Sequence, residues 1–426
     1  MQGRFLFALA PRLNLMYHRD NDNMEDDDMN KPIGWVMNTM PQSEDKWLSV
    51  MSMEEIEKVR AFHRSFPQYA PTPLANLSCA AKALGLGGLA VKDESYRFGL
   101  NAFKVLGGSY AIASEIARVL GRDISETDYA YLTSERLKEE FGQATFFTAT
   151  DGNHGRGVAW SARQLGQKAV VLMPKGTVKS RFDNIAKEDA RVSIEDANYD
   201  ECVRRACALA GETEHGVVVQ DTAWPGYERI PAYIMQGYGT MAGEAAEQLR
   251  DAGFERPTHV FIQAGVGSLA GAIAGYYANY YGENCPRIIV MEADAADCHY
   301  QSALAGDGDM RFVTGDLNTM MAGLACGEPN PISFDILKNH AVCFVSCPDW
   351  VSAQGMRALA RPQGDDPKVI SGESGAIGTG LIRAIMTDPQ YAELKAALGL
   401  DETSVVLLFS TEGDTDPENY RKIVDQ

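Results

Sequence analysis

The chain has 426 residues, 45% hydrophobic and 23% charged, a balance that excludes a wholly disordered or collagen-like protein. With 39 Lys and Arg against 58 Asp and Glu the net charge is −19, which argues against a general nucleic-acid binder and an anionic-membrane binder. No stretch of about 18 apolar residues occurs, so no membrane span is expected, and at roughly 150 residues per domain the length suggests two or three domains.

Residues 1–30 stand apart from the rest. Arg4, Arg12 and Arg19 occur before any acid, and an acidic run then extends from Asp20 to Asp28. The apolar stretch FLFALA is too short for a secretory signal, so the segment reads as a leader or as an upstream extension with Met24 or Met29 as the start. An organelle transit peptide is the alternative to the expected cytoplasmic location. Residues 1–46 are therefore set aside as a partly disordered leader. The eight cysteines are thinly spread, as in a reduced intracellular enzyme. Cys343-x-x-x-Cys347 has no matching second pair, and Cys298-His299 is equally weak, so buried thiols and no metal site are expected.

From Met53 to His63 the apolar spacing is that of an amphipathic helix, stopped by Pro71-Thr-Pro-Leu74, after which Leu89–Lys92 reads as a strand. Strands then alternate with helices. The strands are expected at Thr145–Ala149, Ala169–Met173, Val217–Gln220, His259–Gln263, Arg287–Met291 and Ser404–Phe409. The helices are expected around Gly155–Leu165, Tyr199–Ala210, Ile234–Leu249 and Leu269–Tyr281. Such alternation predicts an α/β protein with largely parallel sheets covered on both faces.

Four segments can carry chemistry. The first, Ser95 to Gly108, places Lys104 between Phe103 and Val105-Leu106. Helix lysines are usually solvated, but one in apolar surroundings favours the neutral amine that attacks carbonyls. The second, Thr145 to Gly157, runs from a strand through Thr150, Asp151, Gly152, Asn153 and His154 into a helix, whose free N–H groups suit a substrate carboxylate. Asp151 there is either a simple N-cap or is aimed at something cationic. His154 is either an acid–base group or a turn residue holding backbone. The third, Thr258 to Gly271, is a strand, glycine loop and helix suited to a phosphate, with Gly265, Val266, Gly267, Ser268 and Leu269 at its centre. It also half-matches a dinucleotide fingerprint, with Ala270 in the third place and Glu292 as an acid for a ribose, so a nicotinamide oxidoreductase is the rival. The fourth is the strand end Val405–Phe409 with Ser410 and Thr411, where hydroxyls face the ligand crevice of an open sheet. Asp221, in V-Q-D-T-A-W, leaves another strand end and is a normal place for a reacting group.

Taken together, these segments resemble the fold type II enzymes that use pyridoxal phosphate, the tryptophan-synthase-β and threonine-dehydratase group, over roughly residues 70–415. Within that group, R-F-G-L-N-A-F-K, T-D-G-N-H-G-R-G-V-A-W, Q-D-T-A-W and S-T-E-G-D-T are similar to the diaminopropionate ammonia-lyase family. Asp151 stands where the usual dehydratases carry serine or threonine, and G-V-G-S-L-A-G departs from the four consecutive glycines common in threonine dehydratases.

The resemblance implies two interleaved open parallel-sheet domains with pyridoxal 5'-phosphate in the cleft between them. The small domain would be residues 115–224, inserted into a large one made of 47–114 and 225–426. Lys104 would carry the cofactor, Asn153 would contact its phenolic oxygen, Gly265 to Leu269 its phosphate, and Ser410 or Thr411 its pyridine nitrogen. Thr150, Asp151, Gly152, Asn153, His154 and Asp221 would meet the substrate. The implied reaction is elimination of 2,3-diaminopropionate to pyruvate and two ammonia, with Lys104 as base for the L-isomer, Asp151 for the D-isomer and Asp221 on the leaving ammonium. A homodimer acting on a small amino acid is expected, with a serine or threonine dehydratase of the same fold as the nearer alternative and a non-catalytic binding protein as the more distant one.

Overall fold

The computed structural model describes residues 31–150 and 152–426, so the leader segment 1–30 and Asp151 lie outside the described residues. The strands are β1 (Gly34–Met37), β2 (Leu74–Asn76), β3 (Gly88–Asp93), β4 (Thr145–Ala149), β5 (Lys168–Met173), β6 (Arg191–Ile194), β7 (Gly216–Val218), β8 (His259–Gln263), β9 (Arg287–Ala293), β10 (Ala341–Cys347) and β11 (Val405–Ser410). They form a seven-stranded sheet in the order β1-β10-β9-β8-β11-β3-β2 and a four-stranded sheet in the order β6-β5-β4-β7. The five inner strands of the larger sheet are parallel, and β1 and β2 close its edges antiparallel. The smaller sheet is wholly parallel. In β8, buried at every position, the inner residues Val260, Phe261 and Ile262 are apolar on both faces because helices cover both sides of the sheet.

Two features depart from the sequence reading. The leader does not extend to residue 46: Gly34–Met37 pairs with Ser346 to Cys343, so this short run gains its strand conformation from a partner more than 300 residues away. β10 and β6 were not expected as strands. In A-V-C-F-V-S-C the small polar residues interrupt an apolar pattern, yet Cys343 and Cys347 are fully buried in the sheet.

Local signals account for the helices. Ser52 caps Met53–Arg64 by accepting the Glu55 N–H, with Glu54 and Glu55 in the first turn and His63 and Arg64 in the last, an order that suits the helix dipole. The helices Asn153–Gln164, Tyr199–Glu212, Arg229–Asp251 and Ser268–Tyr281 contain the expected ones or differ from them at their ends. No helix among the described residues is long and apolar enough to cross a membrane.

A buried ionic cluster holds the end of β3 in place. Lys92 Nζ lies 2.7 Å from Glu244 Oε2, and Arg97 donates to both Glu244 and Glu94 at 2.8 Å. Thr72 Oγ1 donates to Glu94 Oε1 at 2.7 Å. All five side chains are buried. Two cations face two carboxylates, so the group is neutral overall, and Glu244 delivers its charge from the helix Arg229–Asp251. Beyond Arg97 the chain takes left-handed turns at Phe98 (φ 49°) and Asn101 (φ 60°), which lead it to Lys104 and the helix Val105–Val119. That helix start is pressed against Asn153–Gln164 at Gly157, where a side-chain carbon would stand 2.9 Å from Val105 N.

Glu244→Gln leaves Lys92 and Arg97 facing only one buried carboxylate. The expected loss is about 3–5 kcal/mol of folding stability, read by denaturant unfolding. The exposed Glu57→Gln should stay within about 0.5 kcal/mol of the parent.

Candidate active site

The carboxyl ends of β4, β8 and β11 and the segment after β7 converge on one cavity of about 270 Å³. Lys104, Thr150, Gly152, Asn153, His154, Asp221, Gly265, Val266, Gly267, Ser268, Leu269 and Thr411 all line it. Residues far apart in sequence and singled out for separate reasons thus face one another.

Lys104 Nζ donates to Asp221 Oδ2 at 2.6 Å. Burial works to lower the lysine's pKa, but the Asp221 carboxylate outweighs it and holds the ammonium well above the ordinary lysine range. The expectation of a neutral amine is therefore corrected: apolar neighbours alone would give one, but a carboxylate from another part of the chain reverses the sign. Burial likewise works to raise Asp221, and the charge of Lys104 prevails to hold it well below the carboxylate range.

His154 opens the helix Asn153–Gln164 and places Nε2 2.8 Å from the Val219 carbonyl, which makes Nε2 the donor. Nδ1 is buried without a hydrogen-bond partner among the described residues, 3.8 Å from Asp221 Oδ2. Burial lowers its pKa, so the ring is neutral, and it both holds backbone and turns a lone pair toward the Lys104–Asp221 pair. Thr150 Oγ1 accepts the Gly152 N–H at 3.0 Å and sets the turn between β4 and this helix.

The third segment supplies a cradle. Gly267 (φ 94°) is the N-cap of Ser268–Tyr281, whose first N–H groups have no partner within the helix. A side-chain carbon would stand 3.0 Å from Gly323 O at Gly265, and 2.4 Å from His299 Nε2 at Gly267. No side chain fits at Gly267, and one at Gly265 would need its neighbours to give way, so the loop offers bare backbone, as a phosphate requires. Ser268 Oγ donates to the Asp221 carbonyl at 2.5 Å and ties the cradle to the lysine's partner.

At the end of β11 the two hydroxyls separate. Ser410 is fully buried, 2.8 Å from Ser371 Oγ, and does not line the cavity. Thr411 lines it, with Oγ1 3.1 Å from Gln263 Nε2. The amine, the bare cradle and the hydroxyl fit the aldehyde, phosphate and ring nitrogen of pyridoxal phosphate. The nicotinamide alternative fails on Glu292: it is fully buried, and its oxygens accept from His299 and Tyr300, leaving nothing for a ribose.

Several lining residues went unread in the sequence, among them Arg181, Tyr238, Cys326, Glu373 and Glu412. Glu412 Oε2 accepts from Asn153 Nδ2 at 2.5 Å, and Oε1 from the Ser374 N–H at 3.3 Å. Its place inside S-T-E-G-D-T was a usable signal. Glu373 opens the helix Glu373–Thr387, whose glycine- and serine-rich start, S-G-E-S-G, was another. Burial, and then the charge of Glu412, push Glu373 up to about 7.

Residues 66–385 match the family model of pyridoxal-phosphate dependent enzymes, and the fold and site define an enzyme of that class. The diaminopropionate ammonia-lyase of Salmonella typhimurium is 52% identical over 378 residues, 88% of this chain and 93% of the relative. The crystal structure of the holo diaminopropionate ammonia lyase from Escherichia coli superposes with a TM-score of 0.85 at 46% identity, covering 92% of this chain and 96% of that one. The processed threonine deaminase isoform 2 of Solanum lycopersicum shares the fold, with a TM-score of 0.66 at 18% identity over 92% of this chain and 96% of that one. The chain belongs to the diaminopropionate ammonia-lyase family.

The raised Glu373 carries a pH signature. An acid whose folded pKa exceeds its unfolded value favours the protonated fold, so stability falls as pH rises from its ordinary 4.5 through about 7. Glu373→Gln cannot ionise and should be more stable than the parent above that window, with the gain disappearing below it. Thermal melts on both sides of the window check this.

Proposed function

We propose that this chain carries out pyridoxal-phosphate-dependent α,β-elimination of 2,3-diaminopropionate to pyruvate and two ammonia, as a carbon–nitrogen lyase. The observation that carries this is the half-buried Lys104 ammonium, 2.6 Å from Asp221 in a cavity with a bare glycine cradle, in a member of the diaminopropionate ammonia-lyase family. Lys104 would hold the cofactor at Nζ and Asn153 would reach its phenolic oxygen. Gly265, Val266, Gly267, Ser268 and Leu269 would hold the phosphate. Thr411 rather than Ser410 would meet the pyridine nitrogen, a choice supported by the Thr411 side alone lining the cavity. When bound, pyridoxal phosphate supplies an electron sink for negative charge at the substrate α-carbon.

The chain's own groups do the proton work. Lys104 Nζ, released from the cofactor, takes the α-proton from the face it occupies, and one base on one face serves one enantiomer. Asp151 is the base for the opposite face, which extends the reaction from the L- to the D-isomer. Asp221, freed of Lys104, holds the β-amino group as ammonium, the form in which it leaves. Thr150, Gly152, Asn153 and His154 receive the substrate at the helix N-terminus.

The cofactor would lie between a small domain of residues 115–224 and a large one of 47–114 and 225–426. This division is supported by the four-stranded sheet, which takes all its strands from residues 145–218. A cytoplasmic homodimer is the form expected, and sedimentation measures its size.

Lys104→Ala should keep its fold and lose turnover by orders of magnitude, together with the visible absorption of the bound cofactor. Pyruvate release from diaminopropionate against serine separates this reading from a serine or threonine dehydratase. Asp151→Asn should lose about 10²–10⁴-fold on the D-isomer and far less on the L-isomer. Kinetics with each pure enantiomer decide it: equal losses would assign Asp151 to binding the shared β-ammonium, and intact D-activity would remove it from the chemistry.

A further inference from the structure

The phosphate loop Gly265–Leu269 contains no Lys or Arg, and behind it lies a pair of buried groups that the reaction leaves unused. Glu292, on β9, is fully buried. Its Oε1 accepts from the His299 N–H at 2.9 Å and from His299 Nδ1 at 2.7 Å, with Cys298 Sγ at 3.6 Å. Its Oε2 accepts from the Tyr300 N–H at 2.7 Å. His299 is also fully buried, and its second ring nitrogen, Nε2, has no hydrogen-bond partner among the described residues. That nitrogen is aimed at the loop: a side-chain carbon at Gly267 would stand 2.4 Å from it. Ligand atoms of Glu292, Cys298 and His299 lie within 4.8 Å of one another, but their mutual hydrogen bonds account for the clustering without a metal.

Charge arithmetic gives the pair a purpose. A phosphate monoester carries close to two negative charges at neutral pH, whereas a helix N-terminus offers about half a positive one. The ionisable groups around the pair are Cys298, Cys326, Asp294, Asp297, Tyr300 and Cys347, none of them a cation. The ring of Phe334 lies at 6.4 Å from that of His299.

We propose that His299, held by Glu292, is the positive group that balances the cofactor's phosphate from behind the loop. When the phosphate dianion enters the cradle, the imidazole takes one proton from solvent at Nε2. The imidazolium then donates from Nδ1 to Glu292 and turns its Nε2–H toward the loop at Gly267. His299 is a positioning residue that acts through the loop, and the inference rests on the reading that Gly265–Leu269 receives the phosphate.

Two measurements test it. The chain has seven histidines, few enough to resolve in a ¹⁵N-histidine spectrum. At about pH 8, above the ordinary histidine range, the loaded protein should show one ring with both nitrogens protonated, lost on removing the cofactor and in His299→Gln. Binding to the apoprotein supplies the second measurement. His299→Gln and Glu292→Gln should weaken pyridoxal phosphate about tenfold or more while leaving phosphate-free pyridoxal unchanged. Equal weakening of both ligands, or seven neutral rings in the loaded protein, would overturn the inference. If the parent protein bound both ligands alike, the phosphate reading of the loop would fall instead. Should the variants not fold, the spectrum of the parent protein still decides.

Discussion

The placement of Lys104 depends on a buried, neutral cluster of four charges at the start of the loop that leads to it. Arg97 and Lys92 could not be buried alone, because the desolvation of a single ion costs several kcal/mol even after relaxation. Glu94 comes from the same loop, but Glu244 comes from a helix more than a hundred residues later. Burial works to lower the Arg97 pKa, and the two carboxylates reverse this and hold the guanidinium charged. The end of β3, the loop that turns at Phe98 and Asn101, and the helix Arg229–Asp251 are thereby locked in one register. The lysine reaches its cavity because this register is the one in which the four charges cancel.

Within the cavity the same rule operates at closer range. Asp221 decides the protonation of Lys104, and Lys104 decides that of Asp221, so neither state can be read from one residue. His154 stays neutral between them because its burial and the lysine's charge together outweigh the aspartate. Glu373 and Glu412, two acids on different elements, face the same space, and burial together with the charge of Glu412 pushes Glu373 up to about 7. Among the described residues that line the cavity, the acids Asp221, Glu373 and Glu412 stand with the cations Lys104, Arg156 and Arg181.

The separation of the two hydroxyls at the end of β11 has a simple geometric cause. A strand buried on both faces gives no alternation of polar and apolar residues, so its sequence does not reveal which side faces a ligand. Ser410 is the last residue of β11 and points to Ser371, while Thr411 falls where the chain leaves the sheet. The dinucleotide half-match misled for a similar reason. G-x-G-x-x-A with an acid after the next strand describes spacing along the chain, and only the fold shows that Glu292 is already occupied by the N–H groups of His299 and Tyr300.

What the sequence determined by itself is local. Apolar runs bounded by glycine loops marked β4, β8 and β11 to within a residue or so, and the glycines before Ser268–Tyr281 marked a tight turn into a helix, because backbone conformation and helix ends depend on neighbours along the chain. Lys104 stands out in the sequence for the apolar residues around it, and it lines the cavity. The tertiary structure decided whatever depends on distant partners. β1 is a strand because β10 accepts it, Lys104 is an ammonium because Asp221 stands beside it, and Glu373 and Glu412 face the cavity because separate elements end there. Charge and hydrogen bonding act through space over a few ångströms, and the sequence orders residues only along the chain.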